Sequence, residues 1–289
     1  MDRTVGLSEV LAGFPRAHPG RPGDPGLMPP DSVVRRINSE TALLFGGPRA
    51  LLLQIAHPDV AAGVADHSDF RRSPFERLWR TLGTMLDVTF GDSERSAAAA
   101  ARVGAIHASV RGARSGNSYD ARNPELLLWV HATIVDTGLR TYERFVGSIS
   151  EAVRERYYRE MTLVASSFGV PEESQPATFD DFQRYVEETL RRLRITEEAR
   201  SLAEGILYPP VPVTLRPVAA SLRLATAGLL PGRIREAYAL DWSKGHMVAF
   251  EALSASSRTL VPLLPDRLRR WPHAAEALGR MGEQKIAAG

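Results

Sequence analysis

Apolar residues in this chain recur three and four positions apart, and nowhere do they alternate over a useful length. That period builds helices, not strands. The clearest case is PFERLWRTLGTMLDVTF, Pro74 to Phe90. At 100° per residue Phe75, Leu78, Trp79, Leu82, Met85 and Leu86 share one face, with Arg77, Arg80, Thr81 and Thr84 opposite. Start and stop signals divide the rest. Asp31 or Ser32 caps a helix SVVRRINSETALLF that stops at Gly46-Gly47, and Pro48 fits the first turn of the next, RALLLQIA. His57 precedes Pro58, and a residue before proline is driven from the α region, so a break is expected there before DVAAGVADHS resumes as a short helix.

Asp92-Ser93 caps an alanine-rich helix to about Arg111, GARSGNSYDARNP reads as a loop, and Pro124 starts a long helix to about Val146. Ser148 or Ser150 caps another through Phe168, and FDDFQRYVEETLRRLRI is one more. The proline-broken YPPVPVTLRP leads to helices around 218–230, 231–238 and 244–264, then an arginine-rich tail. The expected fold is all-α: one multi-helix domain over residues 31–289, its core within 31–205, a C-terminal helical annex behind it, and a flexible Gly/Pro-rich tail at 1–30 that lies over the surface or is disordered.

Composition removes whole classes of chemistry. There is no cysteine, hence no disulfide, thiolate nucleophile, zinc–cysteine site, iron–sulfur cluster or thiolate-bound haem. The net charge of +2 is too weak a bias for a nucleic-acid partner, and no aromatic–basic interleaving supports one. No signal-peptide pattern opens the sequence and no apolar run reaches the roughly 20 residues of a transmembrane span, so a cytoplasmic location is expected. Phosphate loops and the serine-hydrolase elbow are missing, as are His-Glu-x-x-His and Glu-x-x-His.

Histidines are the remaining candidates. His107 lies on the alanine-rich helix with Ala100, Val103, Gly104, Val110 and Arg111 along its stripe. The small side chains leave space in which a flat macrocycle could take an imidazole as axial ligand, or in which two helices could simply pack closely. His131 interrupts an apolar face of Leu127, Leu128, Ile134, Val135, Gly138 and Tyr142, which fits a core imidazole as readily as a ligand. His57 reads as a helix-end residue whose ring meets the last carbonyls, and His67 with Asp69 as a turn or a metal pair. Arg77, Arg80 and Thr81 are either the wet side of their helix or the polar wall of a pocket. The basic C-terminal run DRLRRWPHAAEALGRMGEQK, with Trp271, reads as a solvated helix or a membrane-surface contact.

Three runs in fixed order, GGPRALLLQIAHPDVAAGVADHSDFRRSPFERLWRT, IHASVRG and ELLLWVHATIVDTGLRTYERF, resemble the MpaB-type oxygenase family, which includes the catalytic domain of rubber oxygenase (latex-clearing protein). The likeness runs from about Ser32 to Leu264. It implies an all-helical fold with a globin-like core, haem b with a histidine axial ligand on iron, and oxidative cleavage of carbon–carbon double bonds in isoprenoid chains. By that resemblance His107 is the metal ligand, Arg111 and His131 are further cofactor-binding candidates, and Arg77, Arg80 and Thr81 form the catalytic distal set. Arg80 stands where the rubber enzymes carry lysine, and a guanidinium has no lone pair to offer iron. Arg35 and Asn38 stand where Trp and His are expected. The expected partners are a small apolar substrate and dioxygen, and a homo-oligomer is left open. A non-catalytic helical protein that binds haem or another apolar ligand is the alternative reading.

Overall fold

The computed structural model describes residues 13–68, 74–114 and 117–282. In chain order the helices are α1 (Val33–Asn38), a 3-10 turn (Thr41–Gly46), α2 (Gly47–Ile55), α3 (Pro58–His67), α4 (Pro74–Phe90) and α5 (Ser93–Ser109). A short antiparallel hairpin, β1 (Arg111–Arg114) and β2 (Asn117–Asp120), precedes α6 (Pro124–Phe145), α7 (Glu151–Ser167), α8 (Phe179–Arg192) and α9 (Glu197–Leu207). The chain continues through α10 (Arg216–Leu229), α11 (Gly232–Ala237), α12 (Lys244–Leu260), α13 (Asp266–Arg269) and α14 (Pro272–Arg280). No helix among the described residues is long and apolar enough to cross a membrane.

The all-α expectation holds, with corrections. The segment read as a loop carries the hairpin, which was illegible because its strands are four residues long and mostly exposed. The first expected helix breaks at Ser39, whose Oγ donates to the Arg36 carbonyl, and Glu40 is extended. His57 does not meet the carbonyls of α2. Its Nδ1 accepts from the Asp59 N–H at 3.3 Å and caps α3 instead. The terminal helix is not simply solvated: Trp271, Ala274 and Ala277 are buried against Leu86 and Phe90 of α4.

α6 is the central strut. It is buried on nearly every side because it packs on α2, α7, α8, α12 and the 3-10 turn, as a helix apolar around most of its circumference must. Val34, Ile37, Val135, Tyr157, Met161 and Phe182 build the main core around it. A second cluster gathers Leu52, Leu53, Trp129, Leu202 and Leu230, with Trp129 Nε1 donating to the Leu53 carbonyl at 3.1 Å. Gly46 lets the 3-10 turn press on α6, since a Cβ there would overlap Thr141 Oγ1. One buried charge crosses this joint. Arg49, 1% exposed, donates to Asp136 Oδ2 at 2.6 Å, Thr137 Oγ1 at 2.5 Å and the Leu229 carbonyl at 2.9 Å.

Both flanks of the chain meet at the α4–α5 turn. Met28 is fully buried in the main core. Arg280 donates to the carbonyls of Asp24 (2.6 Å), Phe90 (3.0 Å) and Gly91 (3.2 Å), while Asp92 Oδ2 accepts the Arg21 N–H at 2.8 Å.

Candidate functional site

α4 and α5 form an antiparallel hairpin, because two residues, Gly91 and Asp92, cannot span any other connection between neighbouring helices. Asp92 caps α5 by accepting the Arg95 N–H at 2.9 Å. Asp87 of α4 accepts from Arg95 and Arg102 of α5, each at 3.2 Å, and Ser96 Oγ donates to the Asp87 carbonyl at 3.2 Å. These bonds fix which faces meet. Arg80 lies seven residues before Asp87 and Thr81 beside it, so Arg80 emerges on the face turned to α5. His107 lies eleven residues after Ser96, a net rotation of about 20°, and so faces α4.

At 1.5 Å per residue Arg80 is about 15 Å and His107 about 21 Å from the turn, so His107 lies about one helical turn farther along the seam. The seam is tight near the turn, where Thr89, Phe90, Ser96 and Ala99 are buried. It opens toward the other end, where Arg80, Thr81, Gly104 and Ala108 are exposed and His107 is half-buried. Among the described residues the His107 ring and the Arg80 guanidinium have no hydrogen-bond or ion-pair partner. Burial alone holds the His107 pKa below its ordinary value, so its imidazole is neutral at pH 7 with a lone pair to give. Arg77 belongs to α4, but its side chain lies outside the described residues.

The remaining candidates sit elsewhere. Arg111 is the exposed first residue of β1, opposite Asp120. His131 is buried on α6, and neither ring nitrogen has a hydrogen bond of normal geometry among the described residues. Burial pushes its pKa down to about 4, against a weaker opposing influence of the Met161 backbone on α7. It therefore faces the α6–α7 core, not the α4–α5 seam. Asp69 lies outside the described residues, and His67 bonds through Nε2 to the Tyr119 hydroxyl at 3.1 Å.

Sequence reasoning missed the network around that tyrosine. Tyr119 donates to Asp66 Oδ2 at 2.7 Å, and Arg114 bridges Asp66 and Glu198. Burial and the carboxylate push the Tyr119 phenol up to about 12. The hairpin is thus tied to α3 and α9, and Gly63 of α3 brings its backbone against Val110, one turn beyond His107. The apolar run ending in His57 packs on α6, α9 and α10, and only α3, which follows it, reaches the far end of the α4–α5 pair, through Gly63. The signal of the tyrosine network was the His67 ring beside Asp66, which needed Tyr119 as third member to be read.

Could an iron cofactor fit here? Among the described residues no three His, Asp or Glu side chains converge as metal ligands. An iron cofactor held by the described residues would therefore take most of its ligands from a macrocycle and one from the chain. The His107 imidazole, neutral and without a partner among the described residues, lies in the opening seam between Gly104 and Ala108 and is of the kind such a group would take as a ligand. The family model for the ER-bound oxygenase mpaB/B'/rubber oxygenase catalytic domain matches residues 34–259. The chain belongs to this family. Similar relatives of this mpaB/rubber-oxygenase member are uncharacterized protein Mb2261 of Mycobacterium bovis and uncharacterized protein Rv2237 of Mycobacterium tuberculosis. Each is 31% identical over 225 residues, which is 75% of this chain and 88% of the relative. No solved structure matches the chain.

Proposed function

We propose that this oxygenase-family chain binds haem b in the α4–α5 seam, with His107 as the protein's iron ligand, and oxidises a small apolar molecule with dioxygen. One observation carries the reading: the neutral imidazole of His107 and the guanidinium of Arg80, neither with a partner among the described residues, lie on the α5 and α4 faces turned to the same seam, about one helical turn apart along it. Haem b would supply the iron at which dioxygen is activated for the attack on a carbon–carbon double bond that the resemblance implies. The chain's own groups have separable tasks. His107 keeps a lone pair available because burial holds it neutral. Arg80 stays protonated and can only donate, so it serves a propionate or a negatively charged oxygen and not the metal. Thr81 offers a hydroxyl that both donates and accepts, while Arg111, in β1 opposite Asp120, receives no role in this scheme. Gly104 and Ala108 leave α5 low enough for a flat apolar group to lie against it. His131 receives no iron role in this scheme.

The test is an absorption spectrum of protein purified after expression with a haem precursor, beside His107→Ala and His131→Ala. A Soret band is expected in the wild type and in the His131 variant, and it should vanish or shift in the His107 variant. A wild type that stays colourless with added haem overturns the assignment. A haem-loaded protein that consumes no oxygen with any alkene offered would leave a haem-binding protein and not an oxygenase.

A further inference from the structure

A second cleft, of about 300 Å³, lies between the extended segment Tyr208–Val211 and the first two turns of α10. α10 packs chiefly on α2, α12 and the 3-10 turn, and α9 on α2 and α3, so this cleft is separate from the α4–α5 seam. One wall is Tyr208, Pro209, Pro210 and Val211. The two prolines have no N–H and fix φ, which makes this wall stiff and apolar. The other wall is α10 itself, with Arg216 and Arg223 seven residues apart on one face and Ala219 between them as a low floor.

Neither arginine has a carboxylate partner among the described residues, and no acidic residue lines the cleft. The contrast is with Arg49, Arg114 and Arg140, each of which is neutralised by Asp or Glu. The Arg223 guanidinium lies 5.0 Å from the Tyr208 ring centroid and gives one long bond, 3.5 Å, to the Leu207 carbonyl. Most of its five donors stay unused, and Arg216 makes no side-chain bond among the described residues. The Tyr208 ring is 62% exposed. The positive end of α10 adds to the same field.

We propose that this cleft binds a small amphipathic anion, with a carboxylate or phosphate head held between Arg216 and Arg223 and a flat apolar body against Tyr208 and the prolines. Guanidinium forks match either head, and the aromatic–proline wall rewards a planar body. A volume of about 300 Å³ is that of roughly ten waters, which suits a ligand of about ten non-hydrogen atoms.

Isothermal titration at low salt with benzoate and phenyl phosphate tests this on the full chain, with inorganic phosphate as head alone and benzyl alcohol as body alone. Both aromatic anions should bind, and whichever is tighter names the head. Arg216→Ala and Arg223→Ala should each weaken binding about tenfold, and the double variant should abolish it. Arg216→Lys keeps the charge and should retain most of the affinity, while circular dichroism verifies that all variants fold. Wild type that binds neither aromatic anion, or a double variant that binds both unchanged, overturns the proposal. Inorganic phosphate bound as tightly as phenyl phosphate overturns the apolar half of it.

Discussion

Replacing His131 by leucine should make the protein more resistant to acid while leaving it almost unchanged at neutral pH. The ring is 6% exposed, sits among Ala132, Val135 and Met161 of the main core, and has no hydrogen bond of normal geometry. In the unfolded chain a histidine takes up its proton near pH 6.5, whereas in the folded protein burial delays this to about pH 4. Between those values the unfolded state binds more protons, so folding stability falls as pH falls. The loss from this one group is about 2 kcal/mol by pH 5 and approaches ~3 kcal/mol at pH 4. Leucine has similar volume and no nitrogens to leave unpaired, so at pH 7.5 the variant should lie within about 1 kcal/mol of wild type. His57, His107 and His273 are also depressed by burial and contribute with the same sign, but they are common to both proteins and cancel in the comparison. Urea unfolding followed by circular dichroism at pH 7.5 and 5.0 measures the difference. Parallel pH dependence in the two proteins would refute the reasoning. If the variant were also some 3 kcal/mol less stable at pH 7.5, the ring would have to hold a partner, and the exclusion of His131 from iron binding would fall with it.

Three further outcomes follow from the core and the hairpin. Asp136→Asn should cost about 3–5 kcal/mol, because Arg49 has no other carboxylate among the described residues. Arg49→Met should cost less, since Asp136 keeps Arg140 at 2.8 Å; urea melts that reverse this order would contradict the account. Gly46→Ala should cost about 1–3 kcal/mol by thrusting a methyl at Thr141, with Gly47→Ala, which meets open space, as the tolerated control in thermal melts. Tyr119→Phe should cost about 1 kcal/mol and speed amide exchange at 117–120, with no change expected in α8, which lies outside that network.

What could be read from the sequence follows from where each signal is stored. Caps are local, so the sequence marks Asp92 and the break before Pro58, and it narrows the α7 cap to Ser148 or Ser150, of which the structure uses Ser150. The faces of α4 and α5 were legible for the same reason: a 3.6-residue period survives without knowledge of the partner helix. The direction of the His57 ring was not, because a cap on the following helix and a bond to the preceding one use the same residue at the same position. The Tyr119–Asp66–Arg114–Glu198 network joins residues up to 132 positions apart, and no local pattern encodes such a closure. The same holds for Arg49, an ordinary basic residue in sequence that becomes a buried strut only when α2, α6 and α10 converge.

The Arg280 contacts impose an order of events. The hairpin that carries Arg80 and His107 is complete in sequence by Ser109, yet the carbonyls at its turn wait 190 residues for the Arg280 guanidinium. On a chain made from its N-terminus, α4 and α5 can pair early and Arg21 can reach Asp92 at once, but the Arg280 half of the clamp arrives only after every other described helix has been synthesised. Residues 13–33 and 260–282, which include both arms of that clamp, lie outside the span matched by the family model. The hairpin thus lies inside the family span, while the contacts that fasten its turn come from flanks outside that span.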